Sequence, residues 1–311
     1  MNTKSMNLND WSGGTIRGKR TSGVHATVNE AHADGLSAPV NAGPGIERTP
    51  WETVALARHQ KRPVLQDYIS LMCTEFIELH GDRSFGDDRA LIGGFATIGG
   101  IRLMLIGHNK GKSVEENLDR NFGMARPEGY RKALRLMRLA ELYSLPVLTL
   151  VDTPGAYPGA DAEERGQAEA IARNLFVMSR LPVPVLAVIC GEGGSGGALG
   201  IAVADRVLML ENAIYSVISP EGCAAILWRD SNYASQAAEA LMLTSRDLLE
   251  LGIVDEIIPE PGEGAHADYR WTAECLKNAI VDNIKQIAAF SGEELIEKRF
   301  EKLSGMGRFA R

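Results

Sequence analysis

Apolar residues in this chain follow two periods. Leu65, Tyr68, Ile69, Met72, Phe76 and Leu79 recur three and four positions apart, which predicts one amphipathic helix over 63–79. The pattern is stronger over 128–144, where Tyr130, Ala133, Leu134, Met137 and Ala140 share a face and Pro146 follows the end. Unbroken apolar runs predict strands instead. Runs 91–98 and 101–106 flank Gly99-Gly100, and that link predicts a tight hairpin because glycine accepts positive φ. VLTLVD (147–152) and VPVLAVIC (183–190) read as strands buried on both faces. RVLML (206–210), AIYSVIS (213–219) and IVDEII (253–258) are further strand candidates. A helix is expected over 162–179, with Asp161 as its cap and Glu164 as the capping-box acid. A short helix is expected over 197–204, and others over 222–228, 235–251 and 268–290. Strands alternating with helices predict an α/β fold with a largely parallel sheet.

Residues 1–48 show no such periodicity and have almost no large apolar side chains. They cannot offset the entropy of ordering and are expected to form a disordered tail, with the folded domain spanning 49–311. The 311 residues carry 33 basic and 40 acidic side chains, a formal charge of −7. That balance argues against bulk affinity for nucleic acid or an anionic membrane. No apolar run approaches the ~18 residues of a membrane span. The first residues, MNTKSMNLNDWSGG, lack the apolar centre of a secretory signal. Cys73, Cys190, Cys223 and Cys275 are too widely spaced for a zinc knuckle or a disulfide framework. Reduced thiols, no metal and a cytoplasmic location are expected.

Three stretches resemble phosphate sites. In GEGGSGGALG (191–200), Gly191, Gly193 and Gly196 have the spacing G-x-G-x-x-G after a strand and before a helix. The stretch can serve a dinucleotide, a tight strand-to-helix turn, or a set of backbone N–H donors for an oxyanion. GHNKGKS (107–113) is one residue short of the P-loop pattern, so it reads as an exposed basic turn. DTPG (152–155) reads as a strand end turning at Pro154-Gly155. His108 reads as a turn or core histidine. Ser195 lies in G-G-S-G-G, which is not a nucleophile elbow. Arg131, Arg135 and Arg138 form a basic stripe that reads as a solvated helix face.

Longer runs carry a resemblance. LARHQKRPVLQDYI, HGDRSFGDDRALIGG, IGHNKG, NFGMARPEGYRKALRLMRLAE, DTPGAYPGADAEERGQAEAIARNL, ICGEGGSGGALG and YSVISPEGCAAILWRD occur in this order. From about Trp51 to Arg311 the chain resembles the α subunits of bacterial acetyl-CoA carboxylase carboxyltransferases. The family's N-terminal helical extension before Trp51 is not evident. The resemblance implies a crotonase-type spiral of ββα units followed by C-terminal helices. It implies transfer of a carboxyl group from carboxybiotin, held on a carrier protein, to acetyl-CoA. The product is malonyl-CoA, for fatty acid or polyketide biosynthesis. The implied partners are a zinc-ribbon β subunit in an α2β2 assembly, the biotin carboxyl carrier protein, and a biotin carboxylase that alone uses ATP.

By the same resemblance, Gly196 and Gly197 supply the oxyanion donors. Gly155, Ala156 and Tyr157 line the pocket with Gly193, Gly194 and Ser195, while Glu221 and Gly222 of SPEG (219–222) shape a wall. Two other readings compete: a non-catalytic scaffold of the same fold, and a lone acyl-CoA enzyme such as a hydratase. The second needs a side-chain acid or base beside the glycines.

Overall fold

The computed structural model describes residues 47–307. All but the last two residues of the expected tail lie outside that range. The chain enters through helix α1 (Pro50–Ala57) and helix α2 (Leu65–Met72). Thr49 caps α1 in a reciprocal capping box with Glu52, and Pro50 occupies the first turn, where its missing N–H costs nothing. Strands β1 (Cys73–Glu78), β2 (Leu91–Ile98) and β3 (Ile101–His108) form an antiparallel meander. Gly99 and Gly100 turn the β2–β3 hairpin at φ 55° and 80°, as the two-glycine link predicts.

Helices α3 (Val114–Asp119) and α4 (Pro127–Leu142) lead to β4 (Val147–Thr153). Helices α5 (Ala160–Glu164) and α6 (Gln167–Met178) lead to β5 (Val185–Gly194), which runs directly into α7 (Ser195–Leu199). Then come β6 (Arg206–Leu210), β7 (Ile214–Ser216), α8 (Pro220–Trp228), α9 (Ala234–Leu241), α10 (Ser245–Glu250) and β8 (Glu256–Ile258). Helices α11 (Tyr269–Ile287) and α12 (Gly292–Gly305) close the described chain.

The sheet order is β1-β2-β3-β4-β5-β6-β8, parallel from β3 onward, with β7 on the far end of β5. β4 is buried along its whole length, as its unbroken apolar run requires. Helix α4 covers the sheet with Tyr130, Ala133, Leu136, Met137 and Ala140, all fully buried. Each large side chain there contributes about 1.5–3 kcal/mol of burial.

Several expectations need correction. The helix expected over 63–79 ends at Met72, and residues 73–78 are strand β1. Phe76 fits a helical spacing from Met72 by coincidence; Cys73-Thr-Glu-Phe-Ile, rich in strand formers, pairs with β2 instead. The helix expected over 162–179 is broken by Gly166 at φ 83°. Gly159 caps α5, and Asp161 pairs with Arg126 rather than capping. The 235–251 helix is split at Met242 (φ 48°), and Thr244 caps the second piece in a box with Asp247. The strand expected over 213–219 is only Ile214–Ser216, and Ser219 caps α8, which starts at Pro220, two residues before the helix expected over 222–228. On α4, Leu136 takes the buried place expected of Leu134, which is half-buried.

The arginine stripe of α4 is not simply solvated. Arg131 pairs with Asp82 at 2.7 Å, and Arg135 donates to the Gly81 carbonyl at 3.0 Å. Both tie α4 to the β1–β2 connection.

Candidate active site

The glycine run is not a loop. Gly191 to Gly194 continue β5, and Glu192, Gly193 and Gly194 pair in parallel with Ile214, Tyr215 and Ser216 of β7. The chain turns into α7 at Ser195, which holds φ 50° without being glycine. Backbone strain of this kind costs about 1–3 kcal/mol and concentrates at functional sites.

On the neighbouring strand, β4 ends in Thr153-Pro154-Gly155. Thr153 Oγ1 donates to the Gly155 carbonyl at 2.7 Å and accepts the Gly155 N–H at 3.2 Å. The two segments meet backbone to backbone. A Cβ on Gly194 would collide with the Pro154 carbonyl, and one on Gly197 with the Gly155–Ala156 peptide. A Cβ on Gly193 would run into the Tyr215 ring at 2.7 Å. Gly196 differs, because a Cβ there would meet nothing within 4 Å. It faces open space.

That space belongs to a pocket of about 270 Å³ lined by Ser195, Gly196, Leu199, Tyr215, Val217 and Ile253, among others. None of the lining residues carries a carboxylate, imidazole or amine. The N–H groups of the first helical turn have no acceptor within α7. Donors of negative-charge stabilisation are therefore at hand, and a side-chain base is not.

Gly155, Ala156, Gly193, Gly194, Ser195, Gly196 and Gly197 thus come together. Tyr157 stands apart from the pocket lining, with its ring under the Arg126 guanidinium at 4.2 Å. Glu221 and Gly222 belong to the first turn of α8. The Gly222 N–H donates to the Ser219 hydroxyl, and Glu221 pairs with Arg58 at 2.6 Å.

The sequence reading missed the charges behind the glycines. Lys110, expected in an exposed turn, is largely enclosed. Its ammonium lies 2.7 Å from Asp152 and 2.9 Å from Glu192. Arg58 continues the chain from Glu192 (2.7 Å) to Glu221. Burial alone would lower the Lys110 pKa, but the Asp152 and Glu192 charges outweigh it and hold it above the usual lysine range. Burial likewise opposes ionisation of Glu192, yet Lys110 and Arg58 hold its carboxyl below the usual range. Lys110, Asp152, Pro154 and Glu192 also line a separate cavity of about 530 Å³. His108 is buried, and burial together with Lys110 pushes it down to about 3, so it is neutral. Cys190 is also buried, and burial raises its thiol pKa. Among the described residues, no group of three or more His, Cys, Asp or Glu side chains is placed to hold a metal.

Fold and site define a class. The structure resembles a transcarboxylase 12S bound to methylmalonyl-coenzyme A and methylmalonic acid, with a TM-score of 0.61 at 20% identity, covering 80% of this chain and 47% of that one. A Pseudomonas malonate decarboxylase hetero-tetramer in complex with coenzyme A gives a TM-score of 0.59 at 16% identity, covering 75% of this chain and 91% of that one. The fold is the crotonase type of carboxyltransferases.

Sequence narrows the class. Residues 46–307 match the family described as acetyl co-enzyme A carboxylase carboxyltransferase-like. The acetyl-coenzyme A carboxylase carboxyl transferase subunit alpha of Aromatoleum aromaticum is 57% identical over 261 residues, covering 84% of this chain and 81% of that protein. The protein of the same name from Geobacter metallireducens is 58% identical over 260 residues, covering 84% and 82%. The chain belongs to the acetyl-CoA carboxylase carboxyltransferase family and is a transferase. No described helix is long and apolar enough to cross a membrane.

Proposed function

We infer that this chain is the half of a heteromeric carboxyltransferase that receives carboxybiotin. With a partner subunit it passes the carboxyl group to acetyl-CoA and forms malonyl-CoA in the cytoplasm. Residues 49–311 form its catalytic domain.

One observation carries the reading: bare backbone at Gly196 faces an open pocket, while its neighbours Gly194 and Gly197 are locked against the Pro154–Ala156 backbone. The residues fit the group. A side-chain-free position beside an apolar pocket would admit a bicyclic ring, and the N–H groups of the first α7 turn would suit its ureido oxygen. Carboxybiotin, when bound, supplies the carboxyl group that is transferred. The N–H groups of Gly196 and Gly197 stabilise negative charge on the ureido oxygen as that carboxyl group leaves. Losing one such donor costs on the order of 3 kcal/mol of transition-state stabilisation. Gly155 and Ala156 back the Gly197 side of α7, and Leu199, Tyr215 and Val217 give the pocket an apolar lining. Glu221 and Gly222 set the nearby start of α8.

Val217, which lines the pocket, is 76% exposed, and on α8 Ile226 is 71% and Leu227 63% exposed. Exposed apolar side chains of this kind suit a partner chain. The partner proposed is a zinc-ribbon β subunit in an α2β2 assembly. The biotin carboxyl carrier protein brings the donor, and a biotin carboxylase, the only user of ATP in the wider complex, recharges it.

The test is reconstitution. This chain, a β subunit, a carboxylated biotin carrier and acetyl-CoA are combined, and malonyl-CoA is measured. Product is expected only when both chains are present. Hydration of an enoyl-CoA by this chain alone would favour the lone-enzyme reading and defeat this one.

A further inference from the structure

Asp152 and Glu192 immediately precede the two glycine segments. Asp152 sits one residue before Thr153-Pro154-Gly155, and Glu192 one residue before Gly193-Gly194-Ser195. Lys110 follows β3. One ammonium therefore holds the C-terminal ends of three adjacent strands, β3, β4 and β5.

The hold reaches the backbone. Asp152 Oδ1 accepts the Glu192 N–H at 2.9 Å as well as facing Lys110. The Asp152 carboxylate also fills the place of a side chain at Gly191, where a Cβ would lie 2.8 Å from its Cγ. At this point the β4–β5 register breaks. Val151 faces Ile189, but Thr153 faces Gly193, so β5 takes four steps while β4 takes two. The extra backbone carries Gly193 and Gly194 across to pair with β7. Side chains are absent where the two glycine segments touch, so their spacing depends on what fixes the strand ends. Glu192 is further tied through Arg58 to Glu221 of α8. One chain of ion pairs thus links the ends of β4 and β5, which lead into the two glycine segments, to the first turn of α8.

We propose that Lys110, by bridging Asp152 and Glu192, is a positioning residue that sets the distance between the Gly155–Ala156 and Gly194–Gly197 segments required for carboxyl transfer. The side chains involved are only 17%, 10% and 11% exposed for Lys110, Asp152 and Glu192. Without the ammonium, two enclosed carboxylates face each other and push the strand ends apart. The proposal rests on the carboxyltransferase reading for its catalytic consequence, but its structural consequence is independent of it.

The experiment uses the complex with the partner subunit and compares wild type, Lys110→Met and Glu192→Gln. Arg299→Met serves as a control that breaks an enclosed ion pair at the opposite end of β5. In Lys110→Met, kcat is expected to fall at least about tenfold while KM for acetyl-CoA stays within about twofold. Glu192→Gln keeps an acceptor for Lys110 and is expected to lose only a few-fold, which covers a Lys110→Met chain that fails to fold. Hydrogen exchange of segments 153–157 and 193–197 is expected to quicken in Lys110→Met and not in Arg299→Met. Unchanged exchange in those segments, or an equal loss of kcat in Arg299→Met, would overturn the proposal. An inactive wild-type complex defeats the carboxyltransferase reading instead, and the exchange result still decides the positioning role.

Discussion

Gly197 lies against Gly155 so closely that a Cβ on Gly197 would come within 2.8 Å of the Gly155 Cα, and nearer still to its carbonyl carbon. The contact is backbone on backbone and cannot yield by turning a side chain. It separates two neighbouring glycines by function. Gly197→Val is expected to wedge the segments apart, lowering both stability and turnover. Gly196→Ala adds a methyl where nothing stands within 4 Å, so folding is expected to persist. Its turnover is expected to fall at least about a hundredfold, because the methyl occupies the space of the reacting oxygen. Thermal melts and kcat of both variants check this. Full activity in Gly196→Ala would remove Gly196 from the site.

Ser195 is strained but is assigned no chemistry. Its hydroxyl belongs to no hydrogen-bonded nucleophile–base pair among the described residues. Ser195→Ala is expected to keep activity within about threefold. Ser195→Gly is expected to raise stability by a few tenths to about 1 kcal/mol, since glycine adopts φ 50° without a Cβ penalty. A chemical-denaturation midpoint measures the second effect. Loss of all activity in Ser195→Ala would reopen covalent catalysis.

Much of this fold was legible in the sequence because its signals are local. The Gly99-Gly100 hairpin and the apolar run of β4 each depend on a few adjacent residues. The errors arose where a distant partner decided the outcome. Residues 73–78 became a strand because β2 offers them a pairing edge. Glu192 to Gly194 stayed in β5 because β7, twenty-two residues later in the chain, pairs with them. The glycine segments stood out in the sequence as a candidate site. The ion-pair chain behind them was not, because Lys110, Asp152 and Glu192 lie about forty residues apart and meet only in the sheet. The signal was present in another form: GHNKGKS and DTPG both resembled phosphate motifs. Lys110 of the first pairs with Asp152 of the second, while Lys112, in the motif's lysine place, pairs with Asp67.

That pairing has a consequence for nucleotides. The Lys110 ammonium already serves two carboxylates, and neither can be exchanged for a phosphate without leaving an enclosed negative charge. The purified chain is expected to show no ATP hydrolysis above background. Phosphate release that Lys110→Met abolishes would contradict this.

Asp82 makes part of the stability pH-dependent. Burial opposes its ionisation, but the N–H groups of Ser84, Phe85 and Gly86 and the Arg131 guanidinium outweigh it and bring it down to about 2. A lowered carboxylate pKa contributes stability that is present above the unfolded value near 4. That stability is lost as pH falls through about 2. The wild type is expected to exceed Asp82→Asn by about 2 kcal/mol at pH 7, with the gap closing between pH 4 and pH 2. Denaturation midpoints across that range test it. A gap constant down to pH 2 would mean that ionisation is not the source.

Arg299 anchors the C-terminal helix. Its side chain is fully enclosed and pairs with Asp205 at 2.8 Å. It also donates to the Met178, Leu181 and Val183 carbonyls, the last at 3.2 Å, where α6 hands over to β5. Desolvation of Asp205 works against the pair: burial raises its pKa, and the Arg299 bonds offset only part of that. The pair is costly to break from one side. Arg299→Ala leaves the Asp205 charge and three carbonyls without their donor, a loss expected to be about 3–5 kcal/mol. Double replacement with Asp205→Asn removes the stranded charge and is expected to recover part of it. Because α12 docks through this residue, hydrogen exchange in α12 is expected to quicken in Arg299→Ala before the rest of the sheet opens. An α12 that stays protected in that variant would show that Leu295 and its neighbours hold the helix without the arginine.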